Sequence, residues 1–168
     1  MREEHKIKFY NGPAPRGHVA KLLRYFSEAL GVEASEFFNP QRLEETCFGA
    51  VCVLYEARAT APRTLLSGDA LAVVVKRHVV PTPALYEKVF KRFGLVAAVK
   101  ASEQGVKAFL YGNDLLLESV LEIYPPVDSY VAVVDGLDGL VVGVARWDTG
   151  SRVFRNIFDV GLYLRGFG

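Results

Sequence analysis

The sequence is poor in the residues from which most enzyme sites are built. It has three histidines, two cysteines and one tryptophan in 168 residues. None of its apolar runs approaches the roughly 18 residues that suggest a membrane-spanning helix. The start, Met1-Arg2-Glu3-Glu4-His5-Lys6, lacks the apolar stretch of a secretory leader. These absences point to a cytoplasmic chain. Cys47 and Cys52 have no C-x-x-C spacing and no secretory context, so the expectation is two reduced, packed thiols. Charge of one sign is also missing, because 20 basic residues stand against 19 acidic ones, without the basic excess of a protein that coats nucleic acid. The two halves differ, however. Residues 1–94 hold 14 Lys and Arg against 10 Asp and Glu, and residues 95–168 hold 6 against 9. Phosphate contact in the second half therefore requires a local patch.

Catalytic signatures are absent as well. The chain has no G-x-S-x-G elbow, no phosphate-binding G-x-x-x-x-G-K-[ST] loop, no G-x-G-x-x-G and no H-E-x-x-H. His5, His18 and His78 are scattered, and Asp135 and Asp138 lack the oxygen-ligand alternation of a calcium loop. The expectation is a protein that is not an enzyme, with no catalytic residue, no metal and no cofactor.

What is present is an ordered globule, 51% apolar with a mean hydropathy of +0.17. Val19, Leu22, Leu23, Phe26 and Leu30 recur at helical spacing before Gly31. Asn39-Pro40 reads as the start of a short helix to about Glu45, followed by a strand over 48–57 and another over 70–76 after the Ser67-Gly68-Asp69 turn. Thr82-Pro83 opens a helix that stops at Gly94. From there the texture becomes strand and turn, with strands predicted over 95–100, 106–111, 121–124, 130–134, 140–147 and 152–165. The fold class expected is an α+β N-terminal domain over residues 1–94, followed by a small, mostly-β barrel over 95–168.

One string is specific: Phe109-Leu110-Tyr111-Gly112-Asn113-Asp114-Leu115-Leu116, preceded by Lys107. It resembles the entry of a PUA domain, an RNA-binding module in which a strand ends at a tyrosine-glycine pair and a short helix follows. Asp159-Val160-Gly161-Leu162-Tyr163-Leu164-Arg165 is similar to the closing strand of such domains in the Nip-seven family of large-subunit ribosome-biogenesis factors and their archaeal relatives. The order of domains and the length fit that family. Leu117, Ser119 and Glu122 stand where the family usually shows lysine, glycine and arginine. The resemblance implies a non-catalytic RNA-binding accessory protein in ribosome assembly or RNA processing. RNA contact falls at Lys107, Tyr111, Gly112 and Asn113, and the first domain docks assembly or processing proteins. Arg146, Arg152, Arg155 and Arg165 add four forked donors within 20 residues, and Trp147 is a candidate for stacking on an exposed base. A docking module without RNA affinity, rimmed by Lys88, Lys91 and Arg92 beside Phe90, is the alternative, as is the RNA-targeting part of a modification enzyme.

Overall fold

Gly49 sets the first sheet. With φ at +60° it turns the chain between β2 (Leu43–Phe48) and β3 (Val51–Glu56), a two-residue connection of the kind that suits the twist of a hairpin. The computed structural model describes residues 9–57 and 70–161. Within them β1 (Phe9–Pro13), β2, β3, β4 (Ala70–Val75) and β5 (His78–Pro81) form an antiparallel meander in that order. The helix expected over 39–45 shrinks to one turn, Pro40–Arg42, capped by the Asn39 side chain, which accepts from the Gln41 N–H at 3.0 Å. Leu43 and Glu45 instead alternate with Glu44 as the start of β2, because β1 and β3 offer strand partners on both sides.

Helix α1 (Arg16–Tyr25) runs on as a π-helical turn, Phe26–Leu30, and stops at Gly31 with φ +67°. Its apolar face buries Leu22, Tyr25 and Phe26. Helix α2 (Pro83–Phe93) starts where the Thr82 hydroxyl accepts from the Leu85 N–H at 3.2 Å, and it ends at Gly94. Both helices lie where the periodicity places them.

The second sheet contains β6 (Ala98–Ala101), β7 (Leu115–Leu116), β8 (Val120–Tyr124), β9 (Tyr130–Asp135), β10 (Val141–Asp148) and β11 (Val153–Asp159), in the order β7-β11-β10-β9-β6-β8. It is a PUA-like half-barrel rather than a closed one, with β7 and β8 at its two edges and one parallel pair, β6 with β9. Residues 106–111, expected as a strand, belong to α3 (Glu103–Leu110) and the turn after it. Ser102 caps that helix by accepting from the Gly105 N–H at 3.2 Å, and the buried residues Gly105, Val106 and Phe109 follow helical spacing. Of the strand expected over 152–165, β11 supplies the part to Asp159; its last residues and the Ser67-Gly68-Asp69 turn lie outside the described residues.

The larger core cluster is shared between the sheets. It joins Leu22, Phe26, Val73 and Val80 to Ala98, Val134, Val141 and Phe158. A smaller cluster around Phe109, Leu115, Val131 and Phe154 takes the alternate residues of this sheet, on its other face.

The cysteines depart from expectation. Cys47 and Cys52 are directly opposite in the β2–β3 register and form a disulfide. Their four intervening residues are the hairpin itself, so the C-x₄-C string centred on Gly49-Ala50 places the sulfurs together.

Candidate nucleic-acid interface

The Tyr-Gly-Asn string sits at a helix end of the opposite polarity to the one expected. It follows α3 instead of preceding a helix, and Gly112 takes φ +90° to reverse the chain. The N–H groups of Tyr111, Gly112 and Asn113 donate to the carbonyls of Ala108, Phe109 and Ala108 at 3.1, 2.9 and 3.2 Å. They are not available to an anion, and the end of a helix that carries spare carbonyls repels one. Lys107 lies on the exposed side of α3 and pairs with Glu103 one turn earlier at 3.3 Å. Tyr111 is the remaining asset of the motif, a tyrosine 78% exposed.

The arginines are not gathered into one patch. Arg155 donates from Nε to Asp148 at 2.9 Å and from Nη1 to Asp114 at 2.8 Å. Hydrogen bonds from Ser151 and Arg155 hold the Asp148 carboxyl down at about 2, and the same two acids raise the Arg155 pKa. This guanidinium is thus engaged within the protein. Asp114 also accepts from the Asn156 N–H at 2.9 Å, and Asn156 Nδ2 donates to the Phe109 carbonyl at 2.9 Å, so these contacts clamp the α3–β7 turn onto β11. Trp147 is half-buried, packs on Phe154 with ring centroids 4.9 Å apart and borders the smaller core, so part of its ring is engaged within the protein. Arg152 occupies the tip of the β10–β11 turn with φ +55°. Arg165 lies outside the described residues.

Arg146 shares a sheet face with its cross-strand partner Arg155 but turns to Tyr130, its partner on β9. Its guanidinium carbon lies 5.4 Å from the centroid of the Tyr130 ring, a cation–π distance. Tyr130 OH meets His78 Nδ1 at 2.7 Å, and Lys21 Nζ donates to the Arg77 carbonyl at 3.1 Å. Burial, then the charges of Arg146, Lys21 and Lys76, push the His78 pKa below its ordinary value, so those three cations converge on one imidazole. A row of positive charge thereby crosses from the half-barrel to α1 and the β4–β5 turn. Among the described residues none of Lys21, Lys76, Arg77 and Arg146 forms an ion pair. Lys76 and Arg77 form that turn with φ +47° and +67°. A hairpin of this shape favours asparagine and glycine, and side chains held in the left-handed region cost about 1 to 3 kcal/mol each, a strain that clusters at functional sites.

Beside the row, an open cleft of about 400 Å³ separates α1 from the β8–β9 connection; its walls are of mixed charge, with Lys21 and Arg24 beside Glu28 and Asp128, together with Tyr25 and Tyr130. Below it Tyr25 OH donates to the Tyr130 carbonyl at 2.8 Å and meets Tyr86 OH at 2.6 Å. Burial pushes both of those phenols up, so they remain neutral hydrogen-bonding groups. Sequence reasoning missed Lys21, Lys76, Arg77 and Tyr130. The available signal was Lys76-Arg77-His78 between two valine-rich runs, Val73-Val74-Val75 and Val79-Val80, where a hairpin must place its charges outward.

Comparison with known proteins agrees with this architecture. Residues 97–168 match the family model described as the UPF0113 PUA domain. A conserved PUA domain protein from Thermoplasma acidophilum superposes with a TM-score of 0.60 at 14% identity, covering 95% of this chain and 100% of that one. A hypothetical protein from the hyperthermophilic archaeon Pyrococcus horikoshii OT3 gives 0.62 at 15% identity, covering 89% and 94%. A PUA domain from Aeropyrum pernix K1, in a tartrate complex, gives 0.50 at 11%, covering 92% and 88%. Among curated proteins none matches the chain. PUA domains generally bind RNA.

Proposed function

We propose that this protein is a non-catalytic RNA-binding accessory factor of the cytoplasm, acting in ribosome assembly or RNA processing as the Nip-seven factors it resembles do. RNA lies against the face made by Lys21, Lys76, Arg77 and Arg146, and it crosses both sheets. The observation that carries this reading is the convergence on His78 of cations that, among the described residues, form no ion pair with a carboxylate. The PUA match supports it. Exposed lysines and arginines on a fixed turn suit phosphate oxygens, and their contribution falls with salt as condensed counterions are released.

A titration of single-stranded and hairpin RNA by fluorescence anisotropy, repeated across salt concentrations, tests the reading. Binding that weakens with salt and is largely lost in a Lys76→Ala/Arg77→Ala variant supports it. If the wild type binds neither RNA at low salt, the reading fails. The docking-module alternative then gains from one feature: Leu121, Ile123 and Leu137 are 60%, 47% and 82% exposed along the edge strand β8 and the β9–β10 turn, a ridge suited to a protein partner.

A further inference from the structure

Glu45 is a charged side chain placed where apolar ones belong. It is 2% exposed and points to the same face of β2 as Leu43 and Cys47, the face covered by α1. Its Oε1 lies 2.6 Å from His18 Nδ1 on that helix. Buried carboxylates are paired or hold cations. Cys47 follows two residues later, and Cys52 stands opposite it on β3 with Cα atoms 4.0 Å apart. One ligand atom from each of Glu45, Cys47 and Cys52 lies within 4.8 Å of the other two. Two sulfurs and an oxygen in that compass form the mixed donor set of a zinc site, whose bonds of about 2.0 to 2.3 Å place neighbouring donors somewhat under 4 Å apart.

We propose that reduction of the Cys47–Cys52 bond converts this end of the hairpin into a binding site for a thiophilic divalent cation, zinc by its ligand set, held by both thiolates and the Glu45 carboxylate. A dithiol reductant gives two electrons and two protons, becomes a disulfide itself and leaves two thiols. Each thiol releases its proton as the metal binds. Water takes the fourth coordination position. His18 positions the carboxylate through its hydrogen bond. Disulfide and metal exclude each other because both use the same sulfur electron pairs, so the site is open to metal only in a reducing compartment.

The test uses the full chain, reduced with a non-chelating phosphine, freed of it, and titrated with zinc alone or cobalt(II) alone, whose thiolate charge-transfer absorption reports sulfur ligation. The expected result is one metal per chain with that absorption. Binding is lost in the oxidised protein and in Cys47→Ser/Cys52→Ser, and is at least tenfold weaker in Glu45→Gln. Equal zinc uptake by the reduced wild type and the double serine variant overturns the site, as does no uptake by reduced protein that keeps its far-ultraviolet circular dichroism. Undiminished affinity in Glu45→Gln overturns the three-ligand assignment. None of these outcomes depends on RNA.

Discussion

Arg146 and Arg155 are direct partners across β10 and β11, yet their guanidiniums serve different ends. Like charges opposed on a sheet repel. Arg155 is drawn to Asp148 and Asp114, and Arg146 to the face of Tyr130, so only Arg146 is left for a ligand.

In RNA titrations, Arg146→Ala should therefore make the slope of log affinity against log salt shallower by about 0.7, the share of one phosphate contact on a single strand. Arg155→Ala should leave that slope unchanged and instead lower the melting temperature, because Asp114 and Asp148 lose their shared counter-ion. Anisotropy and thermal unfolding separate the two.

His78 gives the interface a pH signature. A phosphate beside the imidazole stabilises its charged form, so RNA binding should take up a proton and tighten as pH falls from about 8 to about 6. His78→Gln should flatten that dependence. Without RNA the sign reverses. The folded pKa lies below the ordinary value of 6.5, so the unfolded chain protonates first; the stability linked to His78 is present above that value and is lost as pH falls through the folded pKa. Urea unfolding of the free protein across this range measures it.

Tyr25 and Tyr86 share a hydrogen bond among buried groups. Tyr25→Phe removes the partner of the Tyr86 hydroxyl and should destabilise the protein by about 1 to 3 kcal/mol in urea unfolding. Tyr25→Phe with Tyr86→Phe should cost less than the sum of the single changes, since the second deletion removes the group left unsatisfied by the first.

Gly112→Ala places a side chain at φ +90° and should cost about 1 to 2 kcal/mol by thermal unfolding. RNA affinity should survive at temperatures where the variant remains folded, because the N–H groups of this turn are already bonded within the chain.

The helices were legible because Leu22, Phe26, Leu85 and Val89 keep helical spacing between recognisable stops. β3 falls within the strand expected over 48–57, but β2 was not legible, since Leu43-Glu44-Glu45-Thr46 has the polarity of a helix surface and becomes a strand only when β1 and β3 flank it. Residues 106–111 failed for the converse reason: Val106, Ala108 and Leu110 alternate as a strand would, and the cap from Ser102 decided otherwise. At the interface, Arg155 and Arg146 look alike in the sequence. What distinguishes them is Asp114, 41 residues away from Arg155 in the chain, and Tyr130 on a neighbouring strand.

The core that runs under both sheets bears on how such a chain could ever be divided. Val134, Val141, Val144 and Phe158 of the half-barrel belong to the same apolar cluster as Leu22, Phe26 and Tyr86. A gene cut at Gly94 would yield two products that each present that surface to water, an aggregation hazard for both. The half-barrel is not a detachable cassette; its rear wall is built by the residues that precede it, and the two halves are expected to unfold together.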